Sequence, residues 1–365
     1  MRIGVDCHVL SGMFQGSRTY ISNLYRAIQG LRPAHDFVFL GHWDQGKYFG
    51  EDSVHVEYLS ESRWKRLTYQ TAPLVERYRL DVFHSNYISP LVLPAKPLVT
   101  IHDVLFETHP QFFDRSEVIR NKLLIRHSAK RARQIHTVSE YSRRALIDIY
   151  KIPEDSVFVV PDGVDLDRFS PRPDCSASDR VFGKYGVRDY ILSVGRLEPR
   201  KNHVKLLQAY ALLKSQEGET GPLVVVGQKD FGFQGLFDTI ARLKLQDDVK
   251  ILESVSDELL PDMYRAARMF VYPSFAEGFG IPPLEAMACA IPVVSSNTSA
   301  MPEVAGNACL LVSPDSVEDI AQAMLAVISD PVLAGKLALD GRKQAENWTW
   351  KHAAERYLSA VAALE

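Results

Sequence analysis

The chain has 365 residues, 46% of them hydrophobic and 24% charged, and carries a net charge of −3. That length exceeds what one hydrophobic core usually serves, so two domains are expected, and the composition argues against disorder. The four cysteines, Cys7, Cys175, Cys289 and Cys309, stand far apart without a CxxC pair, which points to reduced thiols rather than to disulfides or a metal site.

The opening MRIGVDCHVL is strand-like and lacks the basic-then-apolar pattern of a signal peptide. No apolar stretch approaches the ~20 residues needed to span a bilayer, so a cytoplasmic protein is expected. Strands are predicted at residues 2–6, 37–41, 54–58, 81–84, 98–101, 135–138 and 157–160, alternating with helices near 17–31, 63–78, 117–132 and 139–150. A second series of strands follows at 190–194, 223–226, 249–252, 269–273, 291–295 and 308–312, again with helices between. Alternating β and α implies doubly wound parallel sheets, one in each half.

Charge is uneven along this path. Residues 1–172 hold 23 Lys+Arg against 20 Asp+Glu, a balance of +3 that leaves −6 for the remainder. Residues 115–144 contain nine basic side chains and two acids, Glu117 and Glu140. Such a local excess suits an anionic lipid surface or an anionic acceptor, or else a solvated helix face. Residues 161–188, dense in Pro, Asp, Ser and Gly, read as the linker between domains. Within them Asp165-Leu166-Asp167 has the look of a cation-holding DxD, but it follows no buried strand and has no further ligands at hand. The last segment, 348–365, places Trp350, Ala354, Tyr357 and Val361 at helical spacing.

The most informative stretch is 269–296, MFVYPSFAEGFGIPPLEAMACAIPVVSS, read as strand, glycine loop, short helix and strand. Gly278 and Gly280 permit backbone that a Cβ resists, and Pro282-Pro283 preset the first helical turn. Amide N–H groups and the positive end of the helix dipole then point at whatever lies beyond the strand, and an anion is the natural occupant. Glu277 and Glu285, seven residues intervening, frame the loop. Ionised carboxylates accept only, so both suit neutral hydroxyls and vicinal diols. Diol plus phosphate means a nucleotide or a sugar.

These residues resemble the retaining family-4, or group 1, glycosyltransferases, whose signature is EGFGxPxLEAMAxGxPVV. The visible departure is Ala290 at a helix-end position where the family usually has Gly. The resemblance spans essentially the whole chain. It implies the GT-B fold: two Rossmann-like doubly wound domains facing each other across a cleft, residues 1–172 forming the acceptor domain and 186–347 the nucleotide-sugar domain, with helix 348–365 crossing back to the first.

Several other sites follow. The strand ending in SVGRLEPRKN places Arg196 and Lys201 at a strand's carboxyl end, where two cations would neutralise a diphosphate. GRxxxxK does this in the family, while Arg200 is expected at the surface. Asn202 is expected to cap the next helix. His102-Asp103 also ends a strand, and TIHDVLFxxHP resembles the segment whose His contacts the transferring sugar; Asp103 would orient it, and His109 looks peripheral. Gln15-Gly16-Ser17-Arg18-Thr19-Tyr20 resembles the family's GxGTY turn, in which Gly16 would let amides approach a diphosphate or acceptor and Arg18 departs from the usual small residue. Glu253 and Ser254, in KILESVSDELL, would border the nucleobase.

The resemblance therefore implies catalytic roles for His102, Glu277, Arg196 and Lys201, and donor binding by Gly16, Arg196, Lys201, Glu277, Gly278, Phe279, Gly280 and Glu285. No metal and no cofactor are expected beyond the nucleotide-sugar substrate, with GDP-mannose the favoured donor and a saccharide or lipid-linked glycan the acceptor. Nucleic acid is not an expected partner, and peripheral contact with an anionic inner membrane face stays open. Among relatives the chain looks most like bacterial mannosyltransferases of surface-polysaccharide assembly. The alternatives are a nucleotide-sugar 2-epimerase of similar fold, not expected to carry this Glu-x7-Glu segment, and a non-catalytic sugar-nucleotide binding subunit.

Overall fold

The structure, a computed structural model, describes residues 1–11, 16–49, 56–171, 176–218 and 220–365. The chain divides into two compact units. One comprises Met1–Thr108, Arg115–Gly163 and Trp350–Glu365, the other His109–Asp114 and Val164–Thr349.

In the first unit β1 (Arg2–Asp6), β2 (Asp36–Gly41), β3 (Val56–Tyr58), β4 (Val82–Asn86), β5 (Lys96–Thr100), β6 (Gln134–Thr137) and β7 (Val157–Val159) lie in the order β3-β2-β1-β4-β5-β6-β7. Neighbouring strands pair in parallel. The start expected for the third strand, residues 54 and 55, lies outside the described residues. Strand order reverses between β1 and β4, and in such sheets the crevice at a reversal is where ligands bind.

Strand β4 is buried along its whole length although it ends in His84, Ser85 and Asn86. Burial of polar groups needs partners. The hydroxyl of Tyr25, on helix Gly16–Gly30, lies 2.6 Å from His84 Nδ1 and 2.8 Å from the Tyr357 hydroxyl. His84 Nε2 lies 2.7 Å from Thr100 Oγ1. Gln134 Nε2 donates to Ala360 O at 2.7 Å. Helix Trp350–Ala362 is thus tied to the sheet by directional bonds as well as by its buried stripe of Trp350, Ala354, Tyr357 and Val361.

The helix expected over 63–78 is interrupted. Arg63–Lys65 is followed by a π turn, Arg66–Gln70, and then by helix Thr71–Tyr78. Pro73 has no N–H to give to Tyr69, so the ladder widens before it. The Thr71 hydroxyl donates to Arg66 O at 2.8 Å.

In the second unit β8 (Ile191–Val194), β9 (Leu223–Val226), β10 (Val249–Leu252), β11 (Met269–Tyr272), β12 (Val293–Ser296) and β13 (Leu310–Val312) lie in the order β10-β9-β8-β11-β12-β13, also parallel. Strands β9 and β11 are buried end to end, as LVVV and MFVY suggest for strands covered on both faces. Helices His203–Glu217 and Val317–Ser329 contribute Leu206, Leu207, Ile320 and Met324 to the same core. Here the order reverses between β8 and β11, the two strands that lead into the GRLEPRK and EGFG loops.

Helix Ile281–Ala288 ends at Cys289, and Ala290 follows with a φ of 56°, in the left-handed region. A Cβ in that conformation costs about 1–2 kcal/mol, a strain that glycine escapes. Ala290→Gly is expected to stabilise the protein by about 0.5–1 kcal/mol after glycine's extra freedom in the unfolded chain is subtracted. A raised Tm is the expected observation, and an unchanged or lowered Tm contradicts it.

Candidate functional site

The loops leaving β8 and β11 meet at Glu277, a residue only 6% exposed. Its Oε1 accepts from Lys201 Nζ at 2.8 Å, from the Tyr272 hydroxyl at 2.9 Å and from Ser274 Oγ at 2.5 Å. Its Oε2 accepts from Arg200 Nη1 at 2.7 Å. Lys201 Nζ also donates to the Tyr272 hydroxyl at 2.6 Å. Burial alone would raise the Glu277 carboxyl, but the Arg200 and Lys201 charges and the hydrogen bonds from Lys201 and Ser274 outweigh it and hold it at about 2. Burial lowers Lys201 below its ordinary value, and Glu277 partly offsets that.

Arg200 is therefore not the surface residue that its sequence context suggests. Its guanidinium donates to Glu277, to Ala276 O at 2.7 Å and to Glu198 Oε1 at 2.5 Å, and its side chain is 14% exposed. Asn202 stands at the N-cap position of helix His203–Glu217, as expected, but not with the capping bond that asparagine usually makes. Its backbone is left-handed and its side chain makes no cap; instead its amide donates to Pro273 O at 2.9 Å and Pro314 O at 2.7 Å, pinning the β8 loop to the loops after β11 and β13. Arg196 turns the other way, to Asp230 in the loop after β9. That loop approaches closely because Gly227 has no Cβ, which would sit 1.8 Å from Gly195 O.

Beyond Glu277, Gly278 and Phe279 lead to Gly280, whose φ of 117° would strain any residue with a Cβ, which would also press on the tip of Met301. Phe279 packs edge-on against Trp348. Glu285, in the helix that follows, accepts from the Tyr264 hydroxyl at 2.8 Å, and burial raises its carboxyl to about 7. Glu253 and Ser254, past β10, are exposed, and Glu253 pairs with Lys229 at 2.6 Å. Asp165 spends Oδ1 on the N–H groups of Asp167 and Arg168, both at 3.0 Å, as a turn cap. Among the described residues no three His, Cys, Asp or Glu side chains are grouped to hold a metal ion.

In the first unit His102 follows β5, is 8% exposed, and is set edge-on to Tyr20 at 4.8 Å. Burial lowers its pKa to about 4, so it is neutral at pH 7, and Nε2 has no hydrogen-bond partner among the described residues. Asp103 Oδ1 accepts from Leu105 N at 3.1 Å, holding the turn after His102. Gly16 opens its helix in open space, since a Cβ there would meet nothing within 4 Å, while Gln15 lies outside the described residues. Arg18 donates to the Tyr48 hydroxyl at 3.0 Å and lies over that ring. Asp162, read from sequence only as linker, is buried, and burial followed by the nearby Asp103 raises it to about 8.

Two Rossmann-like parallel-sheet units, with charged loops at a strand-order reversal in the second, match the architecture of the GT-B glycosyltransferases. Residues 176–348 match the profile of "Glycosyl transferases group 1", and residues 14–168 that of "Glycosyltransferase Family 4". The chain is 33% identical to the O-antigen chain mannosyltransferase B of Escherichia coli over 79% of its own length and 75% of that protein's. It is 33% identical to a D-inositol 3-phosphate glycosyltransferase of Kineococcus radiotolerans over 60% of this chain and 54% of that one. Among solved structures, sucrose-phosphate synthase from Thermosynechococcus elongatus superposes with a TM-score of 0.82 at 20% identity, covering 100% of this chain and 98% of that one. Anabaena HepE in complex with UDP-glucose gives 0.78 at 19% identity, with both chains fully covered (100% each). The protein belongs to the group 1 glycosyltransferases.

The Glu277 cluster carries a pH signature. A carboxyl held at about 2 stabilises the fold fully above its ordinary value of 4.5, and this contribution is lost as pH falls from 4.5 towards 2. Wild type is expected to exceed Glu277→Gln by on the order of 2–3 kcal/mol near neutrality, the gap narrowing steadily below pH 4.5 in denaturant titrations. A gap of equal size at neutral and strongly acid pH contradicts the ion-pair account.

Proposed function

We propose that this chain is a retaining, metal-independent hexosyltransferase that moves mannose from GDP-mannose to a saccharide or lipid-linked glycan acceptor. The observation that carries the reading is the meeting of Lys201, Arg200 and Glu277 where strand order reverses between β8 and β11. The names of the O-antigen relatives favour mannose and a glycan acceptor. The two family profiles are those of glycosyltransferases, and the epimerase alternative draws nothing from them.

Glu198 and Glu277 balance Arg200 and Lys201, and Asp230 balances Arg196, so these groups are neutral as a set. An arriving diphosphate gives Lys201 and Arg196 a second anion. Arg200 stays on Glu277 Oε2 and keeps that carboxylate from standing alone when Lys201 turns away. The diphosphate's charge is met by side chains, which is what makes the proposed reaction metal-independent. Glu285 accepts from a ribose hydroxyl, Gly278 to Gly280 offer backbone to the phosphates, and Glu253 and Ser254 border the base. Neutral His102 hydrogen-bonds a sugar hydroxyl.

Glu277 is a poor nucleophile and a poor base, because both oxygens are engaged and its carboxyl is held at about 2. The acceptor hydroxyl then attacks the anomeric carbon from the face the diphosphate leaves. The bond from that carbon to the phosphate oxygen breaks, the acceptor oxygen bonds to the carbon, and the hydroxyl proton passes to the departing phosphate. A peripheral contact with anionic membrane is placed on helix Arg115–Arg131, which holds six Lys or Arg against Glu117.

Two measurements test this reading. In thermal-shift screening GDP-mannose is expected to raise Tm more than UDP-hexoses do, and absence of a shift with every nucleotide sugar contradicts a donor site. Lys201→Ala is expected to lower kcat by on the order of 10²–10³, a usual loss for one preorganised electrostatic group. Near-normal turnover in that variant removes Lys201 from the mechanism.

A further inference from the structure

The loops that follow β9 and β10 hold a charged pair for which the diphosphate chemistry has no use. Lys229 Nζ lies 2.6 Å from Glu253 Oε1. Lys229 is also set over the rings of Phe233 and Phe237, 5.6 and 5.4 Å from their centres, so its ammonium is steered from several sides. Its backbone is fixed as well. Lys229 forms a parallel bridge with Leu197, Leu197 N donates to Gln228 O at 2.9 Å, and Asp230 N donates to Leu197 O at 3.2 Å. Gly232, with a φ of 73°, lets the same loop close on Pro199, where a Cβ would sit 2.7 Å from Cγ. Glu253 is the first residue past β10, and Gly227 N donates to Leu252 O at 2.9 Å just before it. The pair is thereby tied to the loop that carries Arg196, whose own partner is Asp230.

An ion pair whose side chains are 40% and 53% exposed adds little to stability. It does present a fixed pattern, an ammonium that only donates beside a carboxylate that only accepts. Nucleobases differ in what they offer such a pattern. Guanine sets side by side the acceptor O6 and the donors N1–H and N2–H2, so the ammonium meets the acceptor and the carboxylate meets both donors. Uracil presents O4, N3–H and O2 in the same places. Its third group is then a lone pair set against the carboxylate, an unfavourable contact of the kind that rejects a wrong ligand.

We propose that Lys229 and Glu253 read the base of the donor nucleotide, Lys229 donating to guanine O6 and Glu253 accepting from N1–H and N2–H2, and that Glu253 is the residue that turns uracil away. This rests on the donor reading given above and names the side chains that choose its base. The two residues act differently. Guanine O6 and uracil O4 both accept, so Lys229 anchors either base, whereas the carboxylate of Glu253 separates them.

The test is calorimetric titration of the full chain with GDP, inosine diphosphate and UDP at one fixed salt concentration. The three ligands share ribose and diphosphate, and inosine diphosphate differs from GDP only in lacking the 2-amino group. Wild type is expected to bind GDP about tenfold or more tightly than UDP, with inosine diphosphate between them, since a hydrogen bond to a charged group is of the size that changes Kd roughly tenfold. Glu253→Ala should weaken GDP by about the same factor while leaving UDP unchanged or tighter, so that the preference disappears. Lys229→Met, which keeps the stem over the phenyl rings, should weaken GDP and UDP alike. Because the pair is exposed, both variants are expected to keep the wild-type Tm. If wild type binds none of the three, the donor reading itself falls. If GDP binds but wild type prefers UDP, or Glu253→Ala leaves the ratio of the two unchanged, the base-reading pair is overturned while the donor site stands.

Discussion

The ion pairs converging on Glu277 are the interaction on which the site depends. A carboxylate taken out of water costs several kcal/mol unless cations and hydrogen bonds replace its hydration. Here two cations and two hydroxyls do so, from the β8 loop, the last residue of β11 and the loop that follows it. Removing one partner would leave another charge buried, so the cluster fixes loop geometry more than it adds net stability. Asn202 serves the same end with neutral bonds, tying the end of one loop to the beginning of the other.

This arrangement lets two adjacent cations stand side by side in one loop. Lysine and arginine placed together without counterions would repel; paired with Glu277, Glu198 and Asp230 they are held in place. Tyr272 bridges Lys201 and Glu277, accepting from the ammonium and donating to the carboxylate. The first unit, taken by itself, holds groups of opposite character. His102 and Asp162 are buried and pushed towards their neutral forms, suited to hydroxyls rather than to phosphates.

Most of the fold was legible because parallel strands covered on both faces must be apolar runs, and β9 and β11 are written that way. Ala290 was legible as a backbone matter, and its φ of 56° is the reason. The π turn was not, since a single proline early in a helical pattern more often marks a start than a widened turn. In the candidate site, Lys201 and Glu277 were legible as residues, but not as partners of one another. Arg200 was missed because two adjacent cations in a loop give no sign of which one faces inward; only the parallel placement of β8 against β11 settles it. Tyr272 and Tyr264 were hidden by their own strand and helix periodicity, which marks them as core, while their hydroxyls serve Glu277 and Glu285.

The central claim is that transfer proceeds with departure and attack on one face, Glu277 being committed to Lys201 and Arg200 and so withheld from nucleophilic work. The anomeric configuration of the product tests it most directly. With GDP-α-mannose as donor and a purified glycan acceptor, the anomeric proton and its one-bond carbon coupling in the NMR spectrum should report an α-linkage. A β-linkage from that donor would contradict the account.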